Sequence, residues 1–343
     1  MTSHRRRNPL VGWTVDRSTI VNVGTGLQRP ECILAEPDGT LWSADARGGV
    51  MRIGADGGQQ LITQSIDPHF DLGRDAAKSL LEGTLPNGLA FADDGDLLIA
   101  NFGTDALEVM SRTGQTRVLS REIDGRPLGK VNFVLRDSHN RIWITVSTRV
   151  NPWSAAIRND LADGYVALLD GRGLRVVAEG LAFANEMRLD AAEEHLYVAE
   201  TTGKRIRRYR VRQDGSLVDQ GLYGPASLGT GFVDGIAFDA YGNLWCTMIQ
   251  AERLIALTPE GEVLTLLDDG NAESVARLES EFQSGQPVRF ETMLACAGVI
   301  APWMASITFG GEDLRTVYLG SLRGTTLPSF RAPVPGLAMV HWH

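Results

Sequence analysis

At 343 residues the chain is long enough for two average domains or one large β domain. Its 43% hydrophobic and 22% charged residues are ordinary for a globular protein with a sizeable core. A formal net charge of -9 argues against a nucleic-acid partner, because phosphate binding needs clustered Lys and Arg; it suits a cation or a small neutral substrate.

Arg5, Arg6 and Arg7 are followed by no apolar run before Asp16, so the N-terminus does not read as a secretory signal. The expectation for residues 1–12 is a loose arm. No stretch approaches the ~20 apolar residues that span a bilayer, so no membrane partner is expected. The three cysteines, Cys32, Cys246 and Cys296, are widely spaced and odd in number. They form neither a disulfide framework nor a CxxC metal site, and they read as buried reduced thiols in a cytoplasmic protein.

From residue 31 onward one pattern recurs: a short apolar strand, a turn rich in Asp, Gly or Asn, and a second apolar strand. The copies are ECILAEPDGTLWSAD (31–45), NGLAFADDGDLLIAN (87–101), NFVLRDSHNRIWITV (132–146), NEMRLDAAEEHLYVAE (185–200), DGIAFDAYGNLWCTM (234–248) and the weaker ITFGGEDLRTVYLGS (307–321). Each reads as a β-hairpin whose turn residues tolerate positive φ. Further strand-and-turn signals follow most copies, as in GVMRIGADGG and RLIALTPEGE. About four strands repeated six times predict an all-β, six-bladed propeller with four-stranded antiparallel blades around a central channel, forming a single domain over 1–343. Two segments, 148–164 and 271–303, break the period and are expected as functional loops or lids. The second contains a predicted helix, AESVARLESEF. The C-terminal PGLAMVHW is expected to complete a blade together with residues near Trp13 to Val23, the outermost strand being left open.

The residue opening each copy carries the chemistry. Glu31, Asn87, Asn132 and Asp234 stand ten residues before the matched apolar positions Leu41, Leu97, Ile142 and Leu244. Asn185 stands eleven before Leu196, and Ile307 occupies this slot before Val317. Equivalent strand positions lie on one ring around a propeller axis, so five side-chain oxygens face a common point. A ligand set of oxygens alone suits Ca²⁺, with Zn²⁺, Mg²⁺, Mn²⁺ and Fe²⁺ also open.

FANEMRLDAAEEHLYVAET and VDGIAFDAYGNLWCT resemble the fourth and fifth blades of the gluconolactonase family, which includes senescence marker protein (regucalcin) and is related in fold to diisopropyl fluorophosphatase and the paraoxonases. The resemblance covers roughly 21–340 and is strongest over 181–257. It implies one divalent metal in the channel, with Glu31, Asn185 and Asp234 as direct ligands. Asn132 then lines the metal or substrate shell, and Asn87 is substrate-facing or supports the ligands. The implied activity opens a small lactone or ester, with the metal as Lewis acid and Asp234 as general base, or alternatively as nucleophile. Lys130, Asn87, Trp153 and Glu186 are the further substrate-binding candidates.

Three features depart from the family pattern. Glu31-Cys32-Ile33-Leu34 replaces Glu-Gly-Pro or Glu-Ser-Pro followed by Trp. Lys130 stands where many sugar lactonases carry Arg, and Glu186 stands where Gly normally follows Asn. With Trp153 and Trp303 in the insertions, these changes point to a substrate less polar than a sugar-acid lactone. The alternatives are an organophosphate hydrolase on the same cradle and a non-catalytic ligand-binding propeller stabilised by metal. His69, His139, His195, His341 and His343 read as surface residues. Ser43, Ser147 and Ser321 lack a GxSxG elbow. Trp42, Trp143 and Trp245 are expected between blades, and Met187, Met248 and Met304 in core or pocket. The sequence leaves the oligomeric state open.

Overall fold

The computed structural model describes residues 7–65, 80 and 83–343. Each repeat folds as the hairpin its alternation predicts and is extended by two further antiparallel strands. Five consecutive four-stranded sheets result, with inner strands Ile33–Ala35, Pro86–Phe91, Val131–Arg136, Ala184–Leu189 and Phe232–Phe238. The sixth sheet starts at Met304–Gly310, continues through Thr316–Ser321 and Leu327–Arg331, and ends on the N-terminal strand Val21–Val23. The pairs Val21↔Ser329 and Val23↔Leu327 join the two ends of the chain and close the ring. Each sheet buries both faces against its neighbours, the arrangement that leaves only short edges exposed.

A recurring contact stiffens the hairpins. The indole N–H of Trp42 donates to Glu36 at 2.6 Å, that of Trp143 to Asp137 at 2.8 Å and that of Trp245 to Asp239 at 2.9 Å. The three indoles are almost fully buried, as expected between blades, and each polar edge is satisfied by an acid in the hairpin turn. Met187, Met248 and Met304 are core residues. The three cysteines are free and buried. No helix among the described residues is long and apolar enough to cross a membrane.

Two expectations about the termini are corrected. The segment 335–342 does not complete a blade: Gly336 makes one isolated bridge to Asp239, and Val340–Trp342 turn as a 3-10 helix. With Leu337 and Met339 this tail lies among Ala35, Leu189 and Phe309, at the far end of the inner strands. Residues 8–15 are docked rather than loose. Asn8 donates to Asn243 at 2.6 Å, Val15 N to Leu266 O at 2.8 Å, and Leu10 is 1% exposed. Residues 1–6 of the expected arm lie outside the described residues, as does His69.

Leu10→Ala therefore costs about 2–4 kcal/mol of unfolding free energy, the range for emptying a buried leucine site. Urea denaturation measures this; an unchanged midpoint would mean that the segment is not docked.

Candidate metal and substrate site at the channel mouth

The opening residues of the repeats reach one point because of a shared backbone irregularity. The pairs next to the hairpin turns are Ala35↔Leu41, Phe91↔Leu97, Arg136↔Ile142, Leu189↔Leu196 and Phe238↔Leu244. The slot lies four residues before the first member of each pair. In blades two to five the register shifts at that slot, between Pro86 and Leu89, Val131 and Phe133, Ala184 and Met187, and Val233 and Ile236. A bulge breaks the in-out alternation and re-aims a side chain, here Asn87, Asn132, Asn185 and Asp234. Glycine follows two of them because the next blade is close: a Cβ on Gly88 would stand 2.6 Å from Phe133 Cα, and one on Gly235 would stand 2.5 Å from Ala305 O. In the sixth blade the slot is Ala305, not Ile307. Phe309 pairs with Val317 across a turn two residues longer, and the shift falls between Met304 and Ser306. Ile307 is core.

Glu31, Asn87, Asn132, Asn185 and Asp234 are all buried and line one cavity with Arg29. Asn87 donates from Nδ2 to Glu31 Oε1 at 2.7 Å and to Asn132 O at 3.0 Å, so it orients Glu31. Asn87 Oδ1 accepts from Arg29 Nη2 at 2.6 Å, and the same nitrogen lies 3.0 Å from Glu31 Oε2 as an ion pair without hydrogen-bond alignment. Asn185 Nδ2 donates to Thr201 Oγ1 at 3.1 Å, and Thr201 donates to Val233 O at 2.8 Å. Glu31 Oε2, Asn132 Oδ1, Asn185 Oδ1 and Asp234 Oδ1 are buried with no hydrogen-bond partner.

Buried polar atoms are nearly always paired. Four buried oxygens that accept no hydrogen bond, two of them from carboxylates and one of those ion-paired to Arg29, form an all-oxygen set on one cavity that fits a hard divalent cation. Electrostatics agree. Burial pushes Glu31 up to about 7, with Glu186 adding to the rise and Arg29 and Asn87 opposing it. Burial, then the negative charges of Glu31 and Glu186, raises Asp234 well above the usual carboxylate range. Asp137, His139 and Glu193 also lie close together, but Asp137 already accepts from His139 N, Arg141 and Trp143, and Glu193 from Ser138. That cluster is spent on turn structure.

The other candidates divide. Trp153 lines the cavity, as does Trp303. Lys130 does not; its ammonium pairs with Asp105 at 2.9 Å, and 5.8 Å away is the ring of Phe102, a lining residue. Glu186 does not line it either. Its carboxylate pairs with Arg188 at 2.9 Å and accepts from Ser306 Oγ at 2.6 Å and Ile236 N at 3.1 Å. Ser147 Oγ donates to Ala184 O, and His341 Nε2 lies 2.9 Å from Ala35 O; neither lines the cavity. The repeat analysis missed Arg29, Thr201 and Gln250, which all line it. Arg29 had one signal, a basic residue two positions before an acidic slot. It holds φ 51 immediately before Pro30, where extended backbone is the rule.

These features define a six-bladed propeller with an oxygen-lined cavity formed by the slot residues of its inner strands. The family described as SMP-30/Gluconolactonase/LRE-like region matches residues 30–270, and the chain belongs to it. A 6-deoxy-6-sulfogluconolactonase from Pseudomonas putida is 30% identical over 149 residues, 43% of this chain and 39% of that protein. The match thus spans about two fifths of that relative's length. A gluconolactonase from Xanthomonas campestris has a TM-score of 0.64 at 20% identity, covering 92% of this chain and 89% of that one. A calcium-binding regucalcin from Agrobacterium tumefaciens has a TM-score of 0.65 at 14% identity, covering 92% and 94%. At these identities the two structures attest the fold.

Protons compete with a cation for Glu31 and Asp234. Calcium affinity by calorimetry should rise from pH 5 to pH 7, about ten-fold per unit for each proton displaced, and flatten as Glu31 passes its value of about 7. Without calcium the sign reverses. A raised carboxylate favours the fold fully below its ordinary 4.5, and that contribution is lost as pH rises through about 7. Glu31→Gln should remove one proton from the release. Affinity independent of pH would exclude these carboxylates as ligands.

Proposed function

We propose that the chain is a metal-dependent hydrolase that opens a small lactone or ester at the channel mouth. The observation that carries this reading is the set of four buried oxygens on one cavity that accept no hydrogen bond. Glu31, Asn185 and Asp234 would hold the ion, calcium being favoured by an oxygen-only donor set, and Asn132 would face the substrate or complete the shell. A bound divalent ion supplies Lewis acidity at the substrate carbonyl.

The protein's own groups do the rest. Asn87 fixes Glu31 from one side and Arg29 from the other, so neither can rotate freely. Asp234 acts as general base. Its two oxygens would divide the work: Oδ1, which has no competing donor, toward the ion, and the other oxygen taking a proton from the attacking water. Arg29, the one guanidinium lining the cavity among the described residues, favours the carboxylate that ring opening releases. The apolar lining beside the oxygens, Phe102, Trp153, Phe183, Phe232 and Trp303, lowers the local polarity and strengthens each of these interactions. Membership of a lactonase-containing family supports the reaction class. The free buried thiols support a reducing, cytoplasmic setting.

Asp234→Asn should lower kcat by about 10²–10⁴ with the thermal midpoint held or raised, because one of two mutually repelling buried charges is removed. Chelation by EDTA should abolish lactone opening, and added calcium should restore it. Near-normal turnover by Asp234→Asn at saturating calcium would place the base elsewhere. Activity surviving exhaustive chelation would remove the metal from the reaction.

A further inference from the structure

The walls of the cavity differ in chemistry from its floor. Beyond the oxygens the lining includes Phe102, Trp153, Phe183, Phe232, Met293 and Trp303. Propeller strands and loops supply the three phenylalanines. The insertion 148–164 supplies Trp153, and 271–303 supplies Met293 and Trp303. The two insertions pack as one cap: Val288 N donates to Ile157 O at 3.0 Å, and Phe290 contacts both Trp153 and Trp303, with ring centroids 6.4 and 6.0 Å apart. Phe102 stacks edge-on against Trp153 at 6.0 Å.

Polar capacity in these walls is nearly spent. Outside the floor, Thr201 and Gln250 are the polar residues of the lining. The Thr201 hydroxyl is already engaged by Asn185 and Val233, and the Trp303 indole N–H donates to Met293 O at 3.0 Å. Left over are the Trp153 indole N–H, buried with no partner, and the side-chain amide of Gln250. A polyhydroxylated lactone brought here would surrender several hydrogen bonds to water and recover few, and each uncompensated hydroxyl opposes binding. An alkyl or aryl body surrenders none and gains contact with aromatic faces.

Resting on the hydrolase reading of the same site, we infer that the cavity selects a lactone or ester with an apolar body and one acceptor oxygen that meets Trp153 Nε1, and discriminates against sugar lactones.

Three lactones test this on the calcium-loaded protein: glucono-δ-lactone, δ-octalactone and dihydrocoumarin, followed by pH indicator. The expected kcat/KM is about 100-fold higher for the apolar pair. Trp153→Phe keeps the aromatic wall and loses only the N–H; it should raise KM for δ-octalactone about ten-fold with little change in kcat, as loss of one hydrogen bond predicts. Calorimetry with a δ-alkyl lactam, a non-hydrolysable isostere, should show binding to the native protein and weaker binding to the variant. If the lactam binds while no lactone is opened, the hydrolase reading fails and the assignment of the cavity stands. If glucono-δ-lactone is opened as well as the apolar pair, or the lactam does not bind, the inference is overturned. An unchanged KM in Trp153→Phe overturns the role of its N–H.

Discussion

Two carboxylates, Glu31 and Asp234, are held out of water near one another at the mouth of a channel, and the rest of the site follows from that constraint. Burial drives both toward protonation; the charge of Glu31 adds to it at Asp234, and that of Glu186 adds to it at both. Such a pair is tolerated in a fold only when something offsets it. In this chain Arg29 supplies part of the compensation through its ion pair to Glu31. Asn87 adds a hydrogen bond to the other oxygen of the same carboxylate. Asp234 keeps an oxygen with no donor at all, beside two amide oxygens in the same condition. Those amide oxygens, on Asn132 and Asn185, line the same cavity as the two acids. The arrangement is unfavourable for a protein by itself and well matched to a dication.

The ring geometry that produces this arrangement was legible in the sequence because a propeller repeats its register. Once a hairpin pairs at Leu41, Leu97, Ile142 or Leu244, the residue ten before it is bound to occupy the same place in its blade. The four hairpins with the same turn length obeyed that count, and Asn185 obeyed it after allowance for one extra turn residue. The sixth did not, because the turn between Phe309 and Val317 is two residues longer. Counting backward from Val317 lands on Ile307, a core residue, when the structural equivalent is Ala305. The count thus located the slot but did not reveal why a slot residue faces the channel. That reason is the bulge, which depends on how two strands pair and leaves no mark in either strand alone.

What the sequence hid was whatever depends on contacts between distant segments. Lys130 and Glu186 lie beside or within slot motifs, yet each is captured by a partner outside its own motif: Lys130 by Asp105, and Glu186 by Ser306 from the sixth blade. Arg29 belongs to no repeat. Its place beside Glu31 and Asn87 depends on a left-handed turn immediately before Pro30 that no pattern of hydrophobicity announces. The cap was visible as two interruptions of the period, and the helix Ala272–Gln283, which Asn271 caps, was visible as AESVARLESEF. That 148–164 and 271–303 meet over the same mouth is a tertiary fact. The C-terminal tail shows the limit in reverse. Its apolar residues read as a strand because they must be buried, but the burial is achieved by covering the opposite end of the channel.

The charges along the channel also constrain the chemistry in a way no single residue does. Three buried carboxylates, Glu31, Asp234 and Glu186, stand with two buried guanidiniums, Arg29 and Arg188, so the group as a whole carries one excess negative charge when all are ionised. Glu186 and Arg188 largely neutralise each other, which leaves the cavity proper with Glu31, Asp234 and Arg29. A divalent ion there would convert the excess from one negative to one positive charge. A site of that kind is complementary to a single anion, and hydrolysis of a neutral lactone creates one, the carboxylate of the opened ring. In the proposed reaction Arg29 would therefore matter without holding the neutral substrate: its charge would favour the state in which the acyl group has become anionic. The same preference would have to be overcome as the product left, and an apolar wall that holds the rest of the molecule by contact alone, without a second set of hydrogen bonds to break, would ease that exit.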